Sequence, residues 1–170
     1  MVGLPGAGKT ARARELAAAR GALRLTPDEW MISLYDGSQP DGKRDLLEGR
    51  LIAVALQALR LGASVVLDFG LWSRDERSAL RWLAASAGSP CQVIYLPVGR
   101  DVQRARIARR QAAAPETTFP MTDRDPEEWR GWFETPDAAE QSGETVPGPP
   151  PGWPGWPQWA VDRWPSLRLD

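Results

Sequence analysis

The chain has no histidine and a single cysteine, Cys91. The first absence removes imidazole from catalysis and from metal ligation. The second rules out an internal disulfide or a thiolate cluster, so any metal used here is a hard, oxygen-bound cation such as Mg²⁺. Lysine is scarce, with Lys9 and Lys43 the only two. Charge of one sign is missing as well. Lys+Arg number 21 and Asp+Glu 22, a net charge of −1, which argues against a nucleic-acid groove or an anionic membrane as partner. No apolar run reaches the length of a bilayer span and no signal peptide is evident, so the expected location is cytoplasmic. A length of 170 residues fits one domain whose core needs no covalent staple.

What is present starts almost at once. Gly3-Leu4-Pro5-Gly6-Ala7-Gly8-Lys9-Thr10 fits the phosphate-cradling pattern G-x-x-x-x-G-K-[ST] at every fixed position. Its glycines let successive backbone N–H groups turn inward on a di- or triphosphate, and the helix beginning near Gly8 adds its positive end. Lys9 is expected to reach the outer phosphates, and the Thr10 hydroxyl to hold Mg²⁺. The alternative is a glycine-rich turn ahead of an amphipathic helix. A P-loop ordinarily follows a buried strand of about five or six residues. Only Met1-Val2 precede Gly3, so the strand reads as clipped, with an in-frame upstream start and apolar codons expected.

The rest of the chain alternates helices and short strands. Lys9 to Arg20 has high helix propensity and ends at Gly21; Leu23-Arg24-Leu25 reads as a strand. Thr26-Pro27-Asp28-Glu29 reads as a capping box opening a helix to about Tyr35. Asp28 then sits just past a strand's carboxyl end, where open α/β sheets place ligands, although the helix dipole alone also favours an Asp there. Lys43 to Leu61 is a helix on the spacing of Leu47, Leu51, Val54, Ala55, Ala58 and Leu59. Ser64-Val65-Val66-Leu67-Asp68 is a strand running into a carboxylate, the pattern that sets an acid beside the Mg²⁺ of a P-loop site. Ser73-Arg74-Asp75-Glu76 is a second capping box, with Arg74 and Arg77 in the first turn of its helix. Cys91 to Leu96 reads as a buried strand, and Asp101 to Gln111 as a helix with Arg106 and Arg110 on one face, suited either to a lid over phosphate or to solvent. Ala112 to Met121 is expected to be a loop, followed by a short helix from Asp125 bearing Trp129, Trp132 and Phe133. Prolines and glycines dominate 141–157, yet Trp153, Trp156, Trp159 and Trp164 are too apolar for water. The tail is therefore expected to wrap on its own domain through a short helix near Gln158 to Arg163, with docking to a partner protein as the competing idea.

The P-loop, Leu25 to Trp30, Val65 to Gly70, Arg104 to Gln111 and Phe119-Pro120, in this order, resemble a small P-loop kinase. The related groups are zeta toxins, chloramphenicol phosphotransferase, the kinase domain of polynucleotide kinases and AAA-type ATP-binding proteins. The resemblance covers about residues 1–140. It implies an α/β fold, a three-layer P-loop NTPase of the nucleotide-kinase type, with a parallel five-stranded sheet and an arginine-bearing lid at about 104–126; the irregular Pro/Trp-rich tail at 141–170 departs from it, standing where a final strand is expected. It also implies an ATP-dependent phosphotransferase using Mg²⁺. By motif position Asp28 matches the carboxylate that takes the proton from the acceptor hydroxyl, Asp68 the acid near Mg²⁺, Arg106 and Arg110 the lid arginines, and Arg77 a phosphate- or substrate-facing arginine. Gln111 stands where Asn is commoner, and only Leu167-Arg168-Leu169 is available as a final strand.

These residues together imply transfer of the ATP γ-phosphate to a hydroxyl of a small molecule. A 5′-hydroxyl nucleic-acid kinase and a nucleotide-dependent switch that binds a protein partner through the Trp-rich tail are the alternatives.

Overall fold

The computed structural model describes residues 1–36, 38, 40–113 and 125–169. The Phe119-Pro120 element, and the expected loop beyond Ala113, lie outside them. Among the described residues the elements run α1 (Lys9–Arg20), β1 (Leu23–Leu25), α2 (Pro27–Tyr35), α3 (Lys43–Arg60), β2 (Val65–Leu67), α4 (Arg74–Ser86), α5 (Arg100–Ala113), α6 (Asp125–Trp132), α7 (Ala138–Ser142) and α8 (Trp156–Arg163). No helix among them is long and apolar enough to cross a membrane.

The arrangement is α/β. β1 and β2 pair in parallel, Leu23 with Val65 and Leu25 with Leu67, and the α2–α3 crossover that parallel pairing demands lies between them. Past β2 the ladder continues only as single bridges: Val2 stands between Gly70 and Tyr95, parallel to both. The order across the sheet is therefore β1, β2 with its extension, Met1–Gly3, then 94–96. Of the five-stranded sheet implied by resemblance, the described residues form one two-stranded pair and two bridges. Cys91 to Leu96 does not form a strand, because its neighbour toward β2 is chain only at Met1–Gly3. Below Val2 the position between β2 and residues 91–94 is instead a cavity of about 540 Å³, lined by apolar side chains of α3 and α4. At its head the Met1 ammonium donates to the Leu67 carbonyl at 2.6 Å, and its burial lowers its pKa to about 6.

Two capping boxes were expected and one forms. Ser73 Oγ accepts from the Glu76 N–H while Glu76 reaches back to the Ser73 N–H. At Thr26 there is no side-chain cap bond, and the reciprocal half of the box is missing as well, Glu29 being drawn outward to Arg14 and Arg24, both at 2.9 Å. Pro27 at the first helical position still starts α2 where it should.

The core is built on α3 and α4. Leu51, Ile52, Ala55 and Leu56 meet Ala79, Leu80 and Leu83, and Trp156, Ala160, Trp164 and Leu167 of the tail close over them. The buried stripe of α3 is rotated from the expected one: Val54 is exposed, and Glu48 lies inside the stripe. Gly49 allows this approach, since a Cβ there would stand 2.5 Å from Ser166 Oγ and 2.9 Å from the Leu167 N. Leu167-Arg168-Leu169 forms no strand; Leu167 is a core residue. The tail tryptophans also pack on one another, Trp159 meeting Trp156 and Trp164 edge-on at 5.6 and 5.8 Å.

Candidate functional site

The loop from Gly3 to Thr10 joins the Met1–Gly3 segment to α1, and two positions in it admit glycine alone. Gly3 has φ 145° and a Cβ there would fall 2.7 Å from the Leu96 carbonyl oxygen; Gly6 has φ 81° and its Cβ would lie 3.2 Å from the Gln103 carbonyl oxygen. α5 clamps the loop from outside. Gln103 Nε2 donates to the Pro5 carbonyl at 3.0 Å and Arg106 Nη1 to the Gly6 carbonyl at 3.1 Å. With its carbonyls turned to α5, the loop is held over the start of α1. That helix begins at a left-handed Gly8, has no side-chain cap and has no acidic residue in its first turn, so its N–H groups and positive end remain available to an anion.

Lys9 is the electrostatic centre of this region. Its Nζ donates to the Leu4 carbonyl at 3.0 Å, and burial lowers its pKa to about 8 against the opposing pull of Asp68 and Asp28; Arg110 and Arg44 push the same way as burial. The charges of Asp28, Asp68 and Arg110 are therefore all felt at one ammonium. Asp68 follows β2, its N–H bonded to the Leu25 carbonyl at 2.8 Å and its carboxylate 2% exposed. Arg24 Nη2 donates to that carboxylate at 3.1 Å and to Glu29 at 2.9 Å. Thr10, partly buried, is the second residue of α1. A buried carboxylate and a hydroxyl, both hard oxygen donors beside the loop, suit Mg²⁺, and the glycine-only backbone with an uncapped helix start suits a polyphosphate.

A free Lys9 with a pKa near 8 predicts proton uptake on nucleotide binding. The group sits below its ordinary value of 10.5, so the unfolded chain holds more protons between pH 8 and 10.5, and stability of the nucleotide-free protein rises with pH through that window. A bound polyphosphate reverses the shift. Calorimetric titration of Mg-ATP at pH 8.5 in buffers of different ionisation enthalpy is expected to report uptake of a fraction of a proton, absent in Lys9→Met.

Comparison with known families matches an AAA domain over residues 1–136. The chain belongs to the AAA domain family. No curated protein matches it. Membership makes this a nucleotide-binding, kinase-like P-loop protein.

The other expected site residues of this AAA domain fall into two groups. Asp28, at the second position of α2, is half-exposed and bonded through Oδ1 to Arg44 Nη1 at 2.9 Å. Arg106 and Arg110 are exposed on α5, Arg106 also within 3.9 Å of the position a Gly8 Cβ would take. Arg77 is elsewhere in character. It is 1% exposed, its Nε and Nη2 donate to the two oxygens of the buried Glu140 at 2.6 and 3.1 Å, and its Nη1 to the Leu71 and Trp72 carbonyls at 3.2 and 3.1 Å. The expectation of a phosphate-facing Arg77 is corrected to an internal anchor, because the guanidinium is already bound to a carboxylate and two carbonyls. Trp129 meets Trp72 at 5.9 Å and Phe133 stacks on Tyr95, while Trp132 stands exposed.

Three neighbours of the site escaped the sequence reading. Arg24 on Asp68 was signalled by its place between two leucines of a strand, which turns it to the opposite face. Arg44 and Glu48, four apart, were legible as a pair; what was not legible is that the pair ends on Asp28 at one side and Trp164 at the other. Burial pushes Glu48 up to about 7 although Arg44 opposes it.

Proposed function

We propose that this AAA domain is an ATP-dependent phosphotransferase that moves the γ-phosphate to a hydroxyl of a small molecule. The observation that carries the reading is the uncapped, acid-free start of α1 behind the glycine loop, with Lys9 in its first turn and the carboxylates of Asp28 and Asp68 just beyond the ends of β1 and β2. One buried acid and one half-exposed acid have different tasks open to them.

The chemistry asks little covalent help from a protein. It needs the transferred group held in line, its charge neutralised and the attacking hydroxyl oriented. In the stretch Gly3, Leu4, Pro5, Gly6, Ala7, Gly8, Lys9 and Thr10 that would hold the phosphates, the Gly3 and Ala7 N–H groups already donate to the Gly70 and Leu4 carbonyls at 3.2 and 3.1 Å and Pro5 has none, so the donors offered are those of Leu4, Gly6, Gly8, Lys9 and Thr10. Thr10 and Asp68 would hold Mg²⁺, which supplies charge neutralisation at the phosphate oxygens. Lys9 adds an ammonium, and Arg106 and Arg110 add guanidinium groups from α5 on the other side. Asp28, reachable from solvent, accepts the proton of the acceptor hydroxyl; with transfer late in the reaction a carboxylate can do this, so the missing histidine is no obstacle. Near-neutral net charge favours a small acceptor over a polynucleotide.

The test is transfer of γ-labelled phosphate from Mg-ATP into a metabolite extract. Asp28→Asn is expected to lower incorporation by about 10²- to 10⁴-fold while nucleotide affinity stays within about twofold. Equal incorporation by the variant would remove Asp28 from this role.

A further inference from the structure

Glu48 is 5% exposed, outside the phosphate loop, and unused by the reaction as proposed. A buried carboxylate is costly unless both oxygens are satisfied, and here both are. Oε1 accepts from Arg44 Nε at 3.0 Å and Oε2 from the Trp164 indole N–H at 3.1 Å. Arg44 then uses a different nitrogen, Nη1, for Asp28. The result is one unbroken series of bonds from a tail tryptophan that is 0% exposed to the carboxylate beside the phosphate loop.

Local helix energetics do not account for it. Arg44 lies in the first turn of α3, the end of a helix dipole that disfavours a cation. Its partner lies four residues C-terminal, the weaker order for an i,i+4 ion pair. Burial of an ion pair is in itself poor evidence of stabilisation. What the arrangement does achieve is orientation. Asp28 is half-exposed on the first turn of α2 and, left alone, its side chain would sample several rotamers in water. A guanidinium held at its far end by Glu48 and the core fixes Oδ1 and thereby the direction of the second oxygen.

We propose that Trp164, Glu48 and Arg44 form a positioning relay for Asp28, so that the C-terminal tail governs phosphoryl transfer without touching nucleotide or acceptor. The inference rests on the reading of Asp28 as proton acceptor. All three are positioning residues; none supplies or removes a proton at the substrate.

The experiment is a set of double-mutant cycles in the full chain, read as kcat, KM for ATP and nucleotide Kd in the label-transfer assay, with thermal unfolding alongside. Arg44→Met is expected to lower kcat about 10²-fold, the scale of a misplaced catalytic group, with KM and Kd within about twofold. Arg44→Lys, which keeps the charge and loses the fork, is expected to fall between the two. Trp164→Phe, which keeps the ring buried and deletes the N–H, is expected to lower kcat about three- to tenfold. It also keeps the test informative should Arg44→Met fail to fold. In an Asp28→Asn background each of these losses is expected to vanish, since the group being aimed is gone. Full kcat in Arg44→Met and Trp164→Phe, or losses of the same size in the Asp28→Asn background, would overturn the relay while leaving Asp28 in place. An Asp28→Asn protein as active as the parent would overturn the base assignment and the relay with it.

Discussion

Replacing Lys9 with methionine is expected to lower ATP turnover by about 10²- to 10³-fold and to weaken Mg-ATP binding, without lowering the unfolding temperature. The reasoning is electrostatic. The ammonium already carries a burial cost, visible in its depressed pKa of about 8, and Asp28 and Asp68 offset only part of it. Its bond to the Leu4 carbonyl is a single neutral-acceptor contact. A polyphosphate offers far more charge at the same place, so the lysine is worth more to the complex than to the free fold. Methionine keeps most of the aliphatic stem and removes the buried charge. The free protein is therefore expected to be as stable as the parent or slightly more so at neutral pH. Turnover by coupled ADP formation and melting by differential scanning fluorimetry separate the two effects. Unchanged turnover would mean that phosphate is not handled at this loop.

Arg77→Met is expected to do the reverse. The substitution leaves Glu140, 2% exposed, as an unpaired carboxylate in the interior, and strips the Leu71 and Trp72 carbonyls of their donor. Breaking one side of a buried pair costs about 3–5 kcal/mol, which for a chain of this length lowers the unfolding temperature by roughly 10 °C. Nucleotide binding measured well below that transition is expected to be unaffected. The Arg77→Met/Glu140→Met double variant, which removes both charges, is expected to recover most of the loss. A stable single variant with lost turnover would return Arg77 to the reacting phosphate.

The phosphate loop was legible in the sequence because its glycines have a stereochemical reason: Gly3, Gly6 and Gly8 all adopt positive φ, and Gly3 and Gly6 also lie close against neighbouring carbonyls. Helices with strong local signals were legible for the same kind of reason, α4 through its reciprocal Ser73–Glu76 cap and α1 through its propensity and Gly21. Where two local signals compete, the sequence did not decide. Thr26 and Glu29 have the spacing of a cap, but Arg14 and Arg24 claim the glutamate. Long-range partners were invisible altogether. Nothing in the periodicity of α4 reveals that Arg77 will meet Glu140, 63 residues later. Glu48 offered a signal that was passed over: a carboxylate on the stripe of Leu51, Ile52 and Ala55 must either turn the helix or find partners. It found Arg44 and Trp164. The Pro/Gly-rich tail shows the same limit from the other side. Composition described its backbone, while α8 with its buried Trp156, and Trp164 just after it, depend on the groove that α3 and α4 present.

The central claim is that a nucleotide polyphosphate is held by the amides between Gly3 and Thr10 with Lys9 beside it. Calorimetric titration of the 170-residue chain with Mg-ATP, repeated at two temperatures and with Lys9→Met, tests it most directly. The account predicts one nucleotide per chain, bound more tightly than about 1 mM, with affinity reduced at least about tenfold in the variant. No binding by the folded parent chain at either temperature, or equal binding by the Lys9→Met protein, would contradict it.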